Sequence, residues 1–104
     1  MFTKINPEEN PDTILQNLEA SEDMAWTNSQ NAIIELIYAI HASKSVAYGK
    51  IGIRKLALTF QVLFRIPLND IHHAFHRMKP RAGSRTAFLD QLKICLEEYM
   101  EKDL

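Results

Sequence analysis

The stretch Ile53-Arg-Lys-Leu-Ala-Leu-Thr-Phe-Gln-Val-Leu-Phe64, the connection Arg65-Ile-Pro-Leu-Asn69 and the run Asp70-Ile-His-His-Ala-Phe-His-Arg-Met78 decide the fold. In the first, Ile53, Leu56, Ala57, Phe60, Leu63 and Phe64 recur at helical spacing, the mark of one apolar stripe. Arg54 and Lys55 fall in its first turn, and neither Gly52 nor Lys50 ahead of it supplies a side-chain cap. Pro67 cannot continue that helix, and Asn69 is a good cap for a second one from about Asp70 to Met78. Its buried stripe would be Ile71, Ala74, Phe75 and Met78, which leaves His72, His73, His76, Arg77 and the following Lys79 on the opposite side. Two helices joined by a few residues, the second short with a basic, hydrogen-bonding face, is the layout of a helix-turn-helix. The connection is slightly longer than the usual turn.

Downstream, Lys79, Arg81 and Arg85 are interleaved with Pro80, Gly83 and Ser84, and an amphipathic helix follows from about Arg85 to Met100 with Ser84 as its cap. A helix N-terminus already carries about half a positive charge, so bases crowded there make sense if an anion such as phosphate joins them. A solvated basic turn is the plainer alternative. The helix gathers Phe88, Leu89, Leu92, Cys95, Leu96, Tyr99 and Met100 on one broad side, which places Cys95 as a reduced core thiol. Glu97, Glu98, Glu101 and Asp103 end it with charge that the dipole disfavours.

Upstream, Thr27-Asn-Ser-Gln30 reads as a capping box, with Trp26 placed to staple onto the first turn. The helix from about Asn28 to Ser43 carries Ile33, Ile34, Ile37, Tyr38, Ala39, Ile40 and Ala42 around more than one stripe, so it is expected at the centre of the fold. Glu35 and His41 lie on it as hydrogen-bonded structural groups. Val46-Ala-Tyr48 could form a very short strand or an extended turn, with Gly49 allowing an unusual backbone angle. Residues 1–25 read as an acidic tail with a short helix from about Asp12 to Ser21, striped by Ile14, Leu15 and Leu18. Residues 26–104 form the domain proper.

A chain of 104 residues fits one domain with a real core. Its net charge of −1 conceals a segregation. Residues 1–43 carry one base and seven acids, residues 44–85 nine bases and only Asp70, and residues 86–104 two bases and five acids. Affinity for phosphates depends on such local clustering rather than on the total. The single cysteine excludes an intrachain disulfide. The opening residues show no signal-peptide pattern and no stretch is long enough for a membrane span, so a cytoplasmic setting is expected.

Nothing here has the spacing of catalytic machinery. Gly49-Lys-Ile-Gly52 lacks the spacing and the Lys-Ser/Thr of a phosphate-binding loop. His72 and His76 stand at i, i+4, but a catalytic zinc helix would carry Glu where His73 stands, and a third ligand is not evident. No enzyme activity, metal or cofactor is expected.

The runs Trp26-Thr27, Glu35-Leu-Ile-Tyr-Ala-Ile-His-Ala-Ser43 and Arg85-Thr-x-Phe-Leu-Asp90-x-Leu-Lys93 resemble the RteC family of regulatory proteins tied to conjugative transposons and tetracycline-resistance elements. Gly49-Lys50, Ile53, Ala57, Phe60, Leu63-Phe64, Leu68, Asp70 and Phe75 fit between them without a gap, and the resemblance covers about residues 26–100. The chain departs from it at Lys44, where Gly is usual, and at Ala47-Tyr48, where Asn is common. Further departures are Ile71-His72 in place of an aromatic pair, and Pro80 within a usually basic run. The resemblance implies a DNA-binding transcriptional regulator with a helical N-terminal half and a C-terminal helix-turn-helix or winged-helix-like half. This chain is similar to the second half alone, either an excised domain or a small relative, and the alternatives for a protein partner are a second copy in a homodimer or the missing N-terminal helical half.

The expected fold is therefore an all-α domain of four main helices plus a short leading one, arranged as a helix-turn-helix or winged helix. The expected partner is double-stranded DNA, with no membrane. His72, His73, His76 and Arg77 would meet base edges. Lys79, Arg81, Arg85 and the amide end of the last helix would hold phosphates, and Arg54 and Lys55 would contact the flanking backbone. The alternative is a helical protein-interaction module that uses the acidic first helix or an exposed apolar stripe.

Overall fold

Ile33 and Ile37 are fully buried in the helix α1, Gln30–Ser43, and the rest of the fold is built on that helix. The computed structural model describes residues 24–102, so the helix expected at Asp12 to Ser21 lies outside the described residues. Three further helices follow: α2 Ile53–Phe64, α3 Ile71–Met78 and α4 Ala87–Lys102. Each packs on α1, and none packs closely on another. The buried cluster joins Ile33, Ile34 and Ile37 to Leu56 and Ala57 of α2, Ile66 and Leu68 of the connection, and Ala74 and Met78 of α3. Burying a side chain of isoleucine size stabilises by about 1.5–3 kcal/mol, so α1 carries much of the core.

The start of α1 differs from the expected capping box. Ser29, not Thr27, is the cap, and its Oγ accepts from the Ala32 amide at 3.0 Å. Trp26 ties this start to two other helices. Its indole N–H donates to the Ser29 carbonyl at 2.8 Å and its backbone N–H to the Phe64 carbonyl at 2.8 Å. Its ring meets Phe64 and Phe88 edge-on.

Beyond α1 the chain turns through a 3-10 segment, Ala47–Gly49, where a short strand was one expectation. No strand occurs among the described residues, so neither the small β element nor the wing of a winged helix forms there. The reason lies in the backbone: Lys44, Ala47 and Tyr48 are all left-handed, with φ of 60°, 53° and 54°. Gly and Asn are the residues that tolerate this region best. These are the three positions at which the chain departs from the Gly and Asn of the family it resembles. Gly49 follows at φ +80°, with Lys44 so close that an added Cβ would lie 2.7 Å from its Cγ.

Helix α2 has the expected bounds and closes at Arg65 in the left-handed conformation. The connection is fixed by Gln61, whose side chain accepts from the Leu68 amide at 3.1 Å. The cap of α3 is Asp70 rather than Asn69, and its carboxylate accepts from the His73 amide at 3.2 Å. Asp tolerates the left-handed φ of 50° found there.

The largest departure from expectation is in α4. Phe88 and Leu89 are half-buried, but Leu92, Leu96, Tyr99 and Met100 are 40%, 54%, 68% and 60% exposed, and Cys95 is exposed rather than a core thiol. Helical spacing marks an apolar face without saying what covers it. Here α4 is held against α1 only at its start.

Candidate nucleic-acid interface

Helix α3 divides cleanly. Ala74 and Met78 are buried and Ile71 and Phe75 half-buried, while His72, His73, His76 and Arg77 are exposed, as is Lys79 just past its end. At 100° per residue the exposed set forms one arc opposite the buried stripe. Phe75 holds the helix down by stacking on Tyr38 of α1, with ring centroids 4.0 Å apart and planes 9° from parallel. His76, Arg77 and Lys79 sit at the C-terminal end, where the helix dipole favours cations.

The imidazoles of His72 and His76 face each other, with Nε2 atoms 3.1 Å apart. Local desolvation, then the charges of His72, Lys79 and His73, hold His76 below the ordinary imidazole range. Among the described residues no group of three or more His, Cys, Asp or Glu side chains converges on a metal position. His73 Nδ1 lies 3.7 Å from the Asp70 carboxylate, which keeps that ring near the start of the helix.

Two clefts meet α3, one at each end. At its start, a cleft of about 640 Å³ is lined by Arg54 and Leu58 of α2, Asp70, Ile71 and His72 of α3, and Tyr38 of α1. It brings together Arg54 and His72, which sequence reasoning placed in separate roles. At the end of α3, a cleft of about 370 Å³ brings Lys79 beside Arg85, with Phe75, Met78 and Leu89 among its walls. Lys55 is exposed in the first turn of α2.

Arg81 stands apart from the other expected phosphate ligands. Its guanidinium points inward and donates to Glu35 Oε1 at 3.1 Å and to the Arg85 carbonyl at 3.2 Å. The other carboxylate oxygen, Glu35 Oε2, accepts from the Leu89 amide at 2.8 Å. The anion expected at the start of the last helix is thus present, but it is the protein's own. Glu35 is the hydrogen-bonded structural group expected on this helix, but its partners Arg81 and Leu89 were not legible from the sequence. The signal that it needs partners was a carboxylate beside Ile33, Ile34 and Ile37 on the most apolar helix, since a buried charge requires a partner. The last helix starts at Ala87, later than expected, so Ser84 lies ahead of it rather than capping it: its Oγ accepts from the Thr86 amide at 3.2 Å and donates to the Asp90 carboxylate.

The arrangement can present one short helix, with a polar and partly cationic arc, to a grooved anionic surface, and flank it with exposed bases at both ends. No helix among the described residues is long and apolar enough to cross a membrane. A family model described as RteC protein matches residues 1–103 of the chain. Comparison with curated proteins and with solved structures gives no match.

Proposed function

Because the chain belongs to the RteC family, we propose that it is a DNA-binding domain of a transcriptional regulator carried by a mobile genetic element. The observation that carries this reading is the exposed arc of α3. His72, His73, His76 and Arg77 are free of the core, while the opposite stripe is held by Tyr38 and the buried cluster. In this reading α2 and α3 act as a helix-turn-helix whose connection, residues 65–70, is longer than usual, with α1 as the shared support. The four side chains of the arc address base edges in the major groove. Lys79 and Arg85 hold phosphates at one end of α3, Arg54 and Lys55 at the other. Arg81 is not among them, because its guanidinium is committed to Glu35. The role is binding rather than catalysis, in a reducing cytoplasmic setting.

A fluorescence-anisotropy titration of labelled random-sequence duplex DNA at several salt concentrations tests this. The expected result is micromolar-range non-specific binding at low salt that weakens steeply as salt rises. Absence of binding at low salt sinks the proposal.

A second reading, a helical protein-interaction module, is favoured by one specific observation. The outer face of α4 exposes Leu92, Leu96, Tyr99 and Met100 in a helical row. Runs of this kind mark contacts with a protein partner. A second copy of the chain, or an N-terminal helical half, would cover it. The two readings are compatible, since a dimer contact on α4 leaves α3 free. Leu96→Glu separates them: it should abolish self-association in sedimentation while leaving the affinity of one domain for DNA unchanged.

A further inference from the structure

The cleft at the end of α3 has the composition of a ligand site. Ala39 and Ala42 of α1, Phe75 of α3 and Leu89 of α4 give it apolar walls, and Lys79 and Arg85 are among the residues that line it. Neither cation has a hydrogen-bond or ion-pair partner among the described residues. The one carboxylate in the cleft, Glu35, does not neutralise them: its two oxygens are taken by Arg81 and by the Leu89 amide. His41 lines the same space, and its Nδ1, closed off from solvent, has no hydrogen-bond partner. An apolar cavity with a few converging polar groups is the usual form of a small-molecule site, and about 370 Å³ is within the size range of such sites.

We propose that this cleft binds a small organic anion, an apolar body carrying one carboxylate, with the body between Ala39, Ala42, Phe75 and Leu89 and the carboxylate on Arg85 and Lys79. A second carboxylate would face no further unpaired cation and would bring charge towards Glu35, so a monoanion fits best. A neutral body of the same shape would fill the walls but leave the two cations unanswered. Placed where α1, α3 and α4 meet, such a ligand would bear directly on the seating of α3. Its two cations are also those assigned above to DNA phosphates, so the site is tested without DNA, and its failure leaves the DNA reading standing.

The probe is naphthalene-2-carboxylate, titrated into the full chain and followed by amide NMR, with 2-naphthalenemethanol as its neutral counterpart. The expected result is saturable binding with shift changes concentrated at Ala39, Ala42, Phe75 and Leu89. Affinity should fall about tenfold for the alcohol and about tenfold in Arg85→Gln, the scale of one charge-assisted hydrogen bond. Arg85 is exposed, so this variant should keep the fold. Ala42→Leu, which fills the cleft without touching a charge, should also weaken binding. Equal affinity for acid and alcohol, shift changes centred on the other cleft beside Arg54, or no saturation at millimolar probe would each overturn the proposal.

Discussion

Arg81 and Glu35, 46 positions apart, are joined through a 3.1 Å bond, with the Glu35 side chain only 5% exposed and Arg81 27% exposed. The pair closes the loop between α3 and α4 onto the central helix, and Glu35 then reaches on to the first turn of α4. The basic loop after α3 therefore does two separable jobs. Arg81 faces in and fastens the fold, whereas Lys79 and Arg85 remain outward.

Removing Arg81 should injure the fold before it injures any contact with DNA. Arg81→Ala leaves a buried carboxylate with the Leu89 amide as its only partner, and breaking a buried pair this way costs about 3 kcal/mol. Glu35→Gln keeps one acceptor oxygen for two donors and turns an NH2 toward the other, so it should cost about 2 kcal/mol. Urea unfolding followed through Trp26 measures both. An Arg81→Ala stability within about 0.5 kcal/mol of wild type, the range of an ordinary surface change, would show that the tie is not formed.

Lys44→Gly should stabilise the protein. Lys44 closes α1 at φ 60°, the left-handed cap position that glycine occupies most comfortably. Relief of that conformation is worth about 1 kcal/mol, offset in part by the extra freedom of glycine in the unfolded chain. The control is Lys44→Ala, which keeps the strain and should show no gain. A rise in thermal midpoint for the glycine variant alone supports the geometry; equal behaviour of the two rejects it.

The helices were legible in the sequence because their apolar residues repeat at helical spacing, and Ile53–Phe64 was read to the residue. The caps were less legible: Thr27, Ser29, Asn69 and Asp70 are all competent cap formers, and neighbouring contacts choose among them. The core thiol at Cys95 failed for a different reason. An apolar stripe records that a face is coverable, but not that this chain covers it. The site residues divided likewise. Exposure of His72, His73, His76 and Arg77 followed from the stripe opposite them, whereas the inward turn of Arg81 depended on Glu35, nearly half the chain away. No local pattern carries that kind of pairing.

Stability should fall as the solution is acidified past the imidazole range, partly through His76. Its folded value lies below the ordinary 6.5, so the unfolded chain binds the proton first. The contribution is fully present above the unfolded value and is lost as pH falls through the lower folded one. His76→Gln should therefore narrow the difference in urea midpoint between pH 7.5 and pH 5.5. A variant whose midpoint drops as far as the wild type's would remove His76 as a cause.

The exposed arc of α3 should control sequence preference. Arg77→Ala or His72→Ala is expected to lose about 1–3 kcal/mol on a selected target duplex while changing little on random DNA. Selection from a randomised duplex pool, repeated with each variant, gives the readout. Unaltered preference in both variants would mean that another surface reads the bases.

The most direct test of the DNA reading is the slope of log Kd against log salt for random duplex, measured side by side for wild type and for Lys79→Ala with Arg85→Ala. Both side chains are exposed, and neither has a hydrogen-bond or ion-pair partner among the described residues, so the double variant should stay folded. Each phosphate contact removed lowers the slope by about one, so the double variant should be shallower by about two. A wild-type slope near zero, or the same slope in both proteins, would contradict the account.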